Sequence, residues 1–377
     1  MSEISKAVKK IDHDEKANGS AKYICDYKMD GMLYGALVRS TIPHGEVVRI
    51  DYPDMPDGYS VVDASDMPRK NYLRDANDGQ QIFATEKVNY IAEAIAMICG
   101  PDEDTVRRLA AETNVTYHAL PAVCTVKEAD KALVTYHYVK ADVVDAFKKA
   151  ARIYKEDLHT GYQEQMYLEP NGMLASWNGN KMVVYGSMQN PYYIKNSVMS
   201  VFGLESDQVQ VKHCVTGGGF GGKEDYPSLL AVQAAAASMK LERPVKVILK
   251  RKEDVADTPK RHPTDLRYEV SLDEENRITG MKIEIVYDGG AYQTVSATVM
   301  QRSMITCIGV YNIPSLQVDG RVMMTNKVPT GAYRGFGAPQ THFAVETLMN
   351  HVAAFVGEDP LEFKRKHLAR QGDLTST

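Results

Sequence analysis

Cysteine is scarce in this chain: five residues in 377, at positions 25, 99, 124, 214 and 307, with no CxxC spacing among them. They are too few for a disulfide scaffold and too dispersed for a zinc or iron–sulfur site. Buried, inert thiols in a reducing compartment are the expectation, and with them a cytoplasmic location. No run approaches the roughly 18 apolar residues that a membrane span needs. The opening MSEISKAVKKIDHDEK lacks the apolar core of a signal peptide, so nothing directs export. There is no basic excess either. The net charge is −5, which argues against nucleic acid as a partner. The densest basic run, Lys250, Arg251 and Lys252, is followed at once by Glu253 and reads as a solvated loop.

What is present is the composition of a globular protein, 44% hydrophobic and 25% charged, long enough for two or three domains. GMLYGALVRS (residues 31–40) reads as a buried strand. PDEDTVRRLAAET opens with a proline and acidic residues and places Val106, Leu109 and Ala110 on one face of a helix, before the strand-like VTYH. ALPAVCTVKEADKAL is an extended connection, and a domain boundary is expected near residue 130. Asp142 can cap a helix carrying Val143, Phe147 and Ala150. KMVVYGS is a strand. NPYYIKNSVMSVFG is a helix with Pro191 in its first turn and Gly203 as its stop. QVQVKHCV alternates as a strand and runs into a glycine cluster, after which SLLAVQAAAASM is a helix and PVKVIL a strand. QTHFAVETLMNHVAAFVG and DPLEFKRKHLARQG read as closing helices. No internal repeat is visible.

The glycine cluster, TGGGFGGKED (residues 216–225), can be read three ways. It contains GxxxxGK from Gly217 to Lys223, but the Ser or Thr that ligates magnesium in a phosphate-binding loop is replaced by Glu224. A carboxylate there repels phosphate by several kcal/mol at intermediate dielectric. Gly217, Gly219 and Gly222 also fit GxGxxG, yet the next strand, PVKVIL, carries no acidic end for a ribose. A ligand-free turn is the third reading, but five glycines around one Phe exceed what a turn requires. A loop that aims several N–H groups at an oxyanion or metal-oxo group accounts for the excess.

GGGFGGKE (residues 217–224) together with GAYRGFGAPQ (residues 331–340) resembles the molybdenum hydroxylases of the xanthine dehydrogenase and aldehyde oxidase group. GMLYGALVRSTIPHG, YQEQMYLEP (residues 162–170), SMQNP (residues 187–191) and DPLEFKRKHLARQGD extend the resemblance over essentially the whole chain. It implies an α+β fold: an α/β hammerhead domain over residues 1–130, then the first molybdopterin-binding domain over residues 131–377. It implies a molybdenum–molybdopterin cofactor in its cytosine dinucleotide form, held through the pterin dithiolene with no direct protein ligand to the metal. Gln189 is expected to donate its amide to an oxo ligand, and the backbone at Gly219, Phe220 and Gly221 to contact the metal's ligand sphere. Arg334 is expected beside the pterin, and Phe336 against an aromatic substrate ring. Neutral amide donors suit an anionic metal-oxo centre, and an aromatic face suits a flat heterocycle.

Within the resemblance, Glu224 and Arg302 match positions of the xanthine enzymes. A carboxylate and a guanidinium on either side of a ring can read a purine's N–H and C=O edges. The alternative for this pair is a plain salt bridge. The family's base, a later glutamate, lies beyond DLTST. The expectation is therefore the first half of a catalytic subunit, active only with the second half of the molybdopterin-binding region, an iron–sulfur (2Fe-2S) subunit and an FAD subunit. Oxidative hydroxylation of xanthine or hypoxanthine with water is the expected reaction. Nicotinate, another N-heterocycle or an aldehyde are alternative substrates, and a P-loop nucleotide-binding protein or a cofactor-free structural subunit lie outside that class.

Overall fold

The computed structural model describes residues 5–73 and 79–374. Three sheets organise it. The largest has seven strands in the order Val209–His213, Met182–Gly186, Gly172–Trp177, Val245–Ile248, Leu33–Arg39, Ala94–Gly100 and Ser60–Val62. Leu33–Arg39 runs parallel to Val245–Ile248 and antiparallel to Ala94–Gly100, so one sheet joins strands from both sides of residue 130. All seven residues of Ala94–Gly100 are buried, because helix Glu103–Glu112 covers one face and the main core fills the other. That core packs helices Pro191–Phe202 and Tyr226–Leu241 on the sheet. Thirteen consecutive residues of Tyr226–Leu241, from Tyr226 to Ser238, are buried, so its alanines are apolar all round rather than along one stripe. A three-stranded sheet (Lys87–Val88, Gly45–Asp51, Asn114–Ala119) completes the first part.

The second core lies under a five-stranded sheet ordered Ala132–Lys140, Ser315–Met323, Ile278–Asp288, Thr264–Leu272 and Arg152–Thr160. Leu266, Tyr268, Val270 and Leu272 point inward at period two, toward helices Ser296–Thr306, Ala338–Val356 and Pro360–His367. Arg267 and Glu269 between them point out and pair across strands, Arg267 with Asp157 and Glu269 with Lys155.

The helices expected from the sequence form, with their caps. Asp142 accepts from Asp145 N at 2.9 Å, Asn190 precedes Pro191, and Gly203 and Gly357 close their helices at positive φ. The Asp142-capped helix ends at Lys148, so Ala150 lies outside it. Two readings need correction. Arg251–Asp257 is a helix rather than a loop, because the Glu253 carboxylate turns back to the Lys250 N–H at 2.8 Å and Arg251 reaches the Tyr167 carbonyl. Of the cysteines, 99, 214 and 307 are buried, whereas Cys25 and Cys124 are exposed, because each sits in a connection outside the sheets. Among the described residues no helix is long and apolar enough to cross a membrane.

Candidate functional site

The two glycine motifs, more than a hundred residues apart, meet where the two cores adjoin. The first spans the connection from strand Val209–His213, at the edge of the large sheet, to helix Tyr226–Leu241. The second leads from strand Ser315–Met323 into helix Ala338–Val356. Arg334 N donates to the Phe220 carbonyl at 2.8 Å, and a Cβ on Gly221 would lie 2.5 Å from the Ala332 oxygen. Each motif carries a phenylalanine in the left-handed region, Phe220 at φ +53° and Phe336 at φ +52°, with glycines at φ +102° (Gly221) and +94° (Gly335) beside them. A non-glycine residue at such φ is uncommon, and two in matching GFG settings mark backbone shaped for something other than packing.

Gln189, just ahead of helix Pro191–Phe202, is held against this junction. Its Oε1 accepts from Gly221 N at 2.8 Å, and its Nε2 faces Glu224 Oε2 at 3.3 Å. A Cβ on Gly219 would lie 2.5 Å from that Oε1, so a side chain there would displace the Gln189 amide. Burial, with Asp225 adding to it, pushes the Glu224 carboxyl above the usual carboxylate range. Phe220 is about half exposed, while Phe336 lies half-buried against the second core. Arg334 is exposed. Arg302 is exposed on helix Ser296–Thr306, whose Ser303 packs against the second loop: a Cβ on Gly337 would lie 2.3 Å from Ser303 Oγ. Among the described residues no ion pair joins Glu224 to Arg302, so the plain salt-bridge alternative is not what forms. The structure thus joins Gln189, Gly219, Phe220, Gly221, Glu224 and Arg334 through direct contacts, and sets Phe336 and Arg302 on the neighbouring loop and helix.

The segment YQEQMYLEP contributes more than the sequence reading gave it. Gln165, nearly fully buried, donates to the Pro259 and Ala332 carbonyls at 3.1 and 2.9 Å. Gln163 accepts from Arg261 Nε, whose guanidinium also donates to the Arg334 carbonyl and stacks 3.9 Å from the Tyr333 ring centre. Glu169 accepts from Gly217 N at 2.7 Å and from Lys223 Nζ at 2.8 Å. The available signal was three polar residues, Gln163, Gln165 and Glu169, interleaved with Tyr162 and Tyr167 in a stretch ending in proline. Lys223, which a phosphate-binding loop would turn to its ligand, is instead fully buried and turned inward. That removes the cation on which the P-loop reading depends.

The implied molybdenum–pterin group can be tested against these donors. Among the described residues the N–H groups of Gly218, Gly219 and Phe220 have no protein partner, although their neighbours Gly217, Gly221 and Gly222 are all bonded. The Oε1 of the buried Gln165 is likewise unpartnered. No group of three His, Cys, Asp or Glu side chains is disposed to ligate a metal among the described residues. A row of free neutral donors fits an anionic group.

Residues 126–368 match the molybdopterin cofactor-binding domain family, and residues 18–121 match the aldehyde oxidase and xanthine dehydrogenase a/b hammerhead domain. The chain is 30% identical over 372 residues to the nicotinate dehydrogenase large molybdopterin subunit of Eubacterium barkeri, covering 94% of this chain and 87% of that one. It is 32% identical to xanthine dehydrogenase 2 of Arabidopsis thaliana, covering 96% of this chain but only 28% of the plant protein. The aldehyde oxidoreductase of Desulfovibrio gigas superposes with a TM-score of 0.89 at 25% identity, over 97% of this chain and 43% of that one. The paired glycine loops, the hammerhead and the matches over nearly the whole length lead to one conclusion: the chain belongs to the molybdopterin cofactor-binding family of the xanthine dehydrogenases and aldehyde oxidases.

Proposed function

We propose that this chain is the first part of the molybdopterin-binding portion of a hydroxylase that oxidises a flat purine, xanthine or hypoxanthine, at a ring carbon with oxygen taken from water. The observation that carries the proposal is the meeting of Gln189 and Glu224 beside three consecutive unpaired N–H groups. When bound, the molybdenum–pterin group, proposed in its cytosine dinucleotide form, supplies the two-electron oxidant. The N–H groups of Gly218, Gly219 and Phe220 and the Gln189 amide would hold it as neutral donors, with the exposed Arg334 guanidinium alongside. Glu224, whose carboxyl burial pushes up, offers a purine edge an acceptor. Arg302 donates to a ring carbonyl and offsets negative charge that develops on the ring, and Phe336 gives the ring a face. Residues 1–130 act as the hammerhead and 131–377 as the cofactor domain. A general base, an iron–sulfur subunit and an FAD subunit come from partner polypeptides in the cytoplasm.

One observation favours a second reading, nicotinate as substrate. This chain spans 87% of the nicotinate dehydrogenase large subunit but 28% of the plant xanthine dehydrogenase. Both readings are tested on the native complex, where molybdenum and pterin in equimolar amount are expected. Glu224→Gln and Arg302→Met should each lower hypoxanthine turnover roughly 10²-fold, the scale of removing a contact to developing charge. Unchanged hypoxanthine turnover in both variants rejects the purine assignment, and a loss confined to nicotinate supports the second reading.

A further inference from the structure

The proposed function leaves Lys223 without a role, although it completes the glycine run. Its side chain is fully buried, and its ammonium donates to Glu169 Oε2 at 2.8 Å and to Ser187 Oγ at 3.0 Å while lying 4.9 Å from the Tyr167 ring centre. The same Glu169 oxygen accepts from Gly217 N at 2.7 Å. Gly217 and Lys223 are the two ends of the run, so one carboxylate oxygen ties down both. The approach is close: a Cβ on Gly217 would lie 2.4 Å from Glu169 Cβ. Between these ends, Gln189 Oε1 holds Gly221 N, and Gln189 N donates to the Lys223 carbonyl at 2.7 Å. The three N–H groups left over, at Gly218, Gly219 and Phe220, lie between the fixed points.

We propose that Glu169 and Lys223 are positioning residues of the cofactor loop: their buried pair fixes both ends of the run so that these three N–H groups are held toward the molybdenum–pterin group. The proposal rests on the function given above. Oriented N–H dipoles stabilise an anion well only when they need not reorganise, and a glycine-rich segment has more freedom to lose than any other. Charge-assisted hydrogen bonds from beneath remove that freedom without occupying the donors themselves. Burial pulls the Lys223 ammonium pKa down, and the Glu169 carboxylate opposes that pull. Nothing in this arrangement requires Lys223 to touch cofactor or substrate.

Removing one member alone leaves an unpaired buried charge and threatens folding. The test therefore uses two paired variants in the native, assembled complex. E169Q/K223M keeps an acceptor for Gly217 N, whereas E169M/K223M has none, and neither buries a lone charge. E169Q/K223M, which keeps the tie at Gly217 but loses the one at Lys223, should fall between the unmodified complex and E169M/K223M in molybdenum content and in its electron paramagnetic resonance spectrum. E169M/K223M should lose about 10-fold in molybdenum content, with an altered spectrum in the fraction that remains. Molybdenum present in the unmodified complex, with the two variants indistinguishable from it, overturns this proposal alone. Molybdenum absent from the unmodified complex overturns the function and this proposal with it. Amide hydrogen exchange supplies a readout that needs no variant. Gly217 should exchange slowly with or without cofactor, and residues 218–220 should slow only when it is bound. Fast exchange at Gly217 in both states overturns the proposal even if neither variant assembles.

Discussion

At Gly221 a hydrogen in place of a side chain keeps the two loops in contact. With φ at +102° and a would-be Cβ 2.5 Å from a backbone oxygen of Ala332, neither the residue nor its neighbour can give way cheaply. Gly221→Ala should destabilise the chain by about 1–3 kcal/mol from backbone strain alone, with more from parting the loops. Thermal unfolding of the variant measures this, and a midpoint unchanged from the parent would show the loops are not clamped there. The residues of this site were legible in the sequence to different degrees. The glycines and Glu224 declared themselves because few other arrangements need five glycines about one phenylalanine. Glu169, Gln165 and Arg261 did not, because a polar residue that supports a loop from beneath has no spacing rule; its partner lies far away in the chain.

Among the elements, helix Tyr226–Leu241 joins the core to the site, because its first residue follows Glu224 and Asp225 directly. Its alanines let it lie close on strand Gly172–Trp177 and helix Pro191–Phe202. Ala235 is fully buried, so Ala235→Leu should cost about 1–3 kcal/mol by overpacking. Denaturant unfolding reads the loss, and tolerance of leucine would mean the packing has slack. The helix was visible in the sequence as an alanine-rich stretch, but not its burial on every side, which depends on sheet and helix arriving from segments far apart. Helix Arg251–Asp257 escaped notice for a related reason. Its basic opening resembles a solvated loop, and only the Glu253 return to Lys250 N and the docking of Arg251 on the Tyr167 carbonyl reveal a capped turn.

Across the whole molecule, segments from the two sides of residue 130 are tied by a buried carboxylate. Glu93, beside strand Ala94–Gly100, accepts from Asn89 N at 2.6 Å and from the Tyr292 hydroxyl at 2.5 Å. Burial pushes its pKa up to about 7, and Asp257 adds to the rise. The folded value lies above the unfolded one, so the stability Glu93 contributes is complete below its unfolded pKa of about 4.3 and is lost as pH rises through about 7. The loss is about 4 kcal/mol at most. Glu93→Gln, which resembles the protonated acid, should therefore gain on the parent between about pH 5 and pH 8 in urea unfolding. A stability difference that does not change with pH would mean Glu93 does not titrate there. The sequence by itself determined the local elements, their caps and the two glycine motifs, because spacing, capping chemistry and tolerance of positive φ are properties of short segments. The tertiary structure decided what those motifs make together: Phe220 against Arg334, Glu169 beneath Gly217 and Lys223, and one sheet joining strands from both sides of residue 130. Such contacts are chosen by the packing of distant surfaces, which no local pattern encodes.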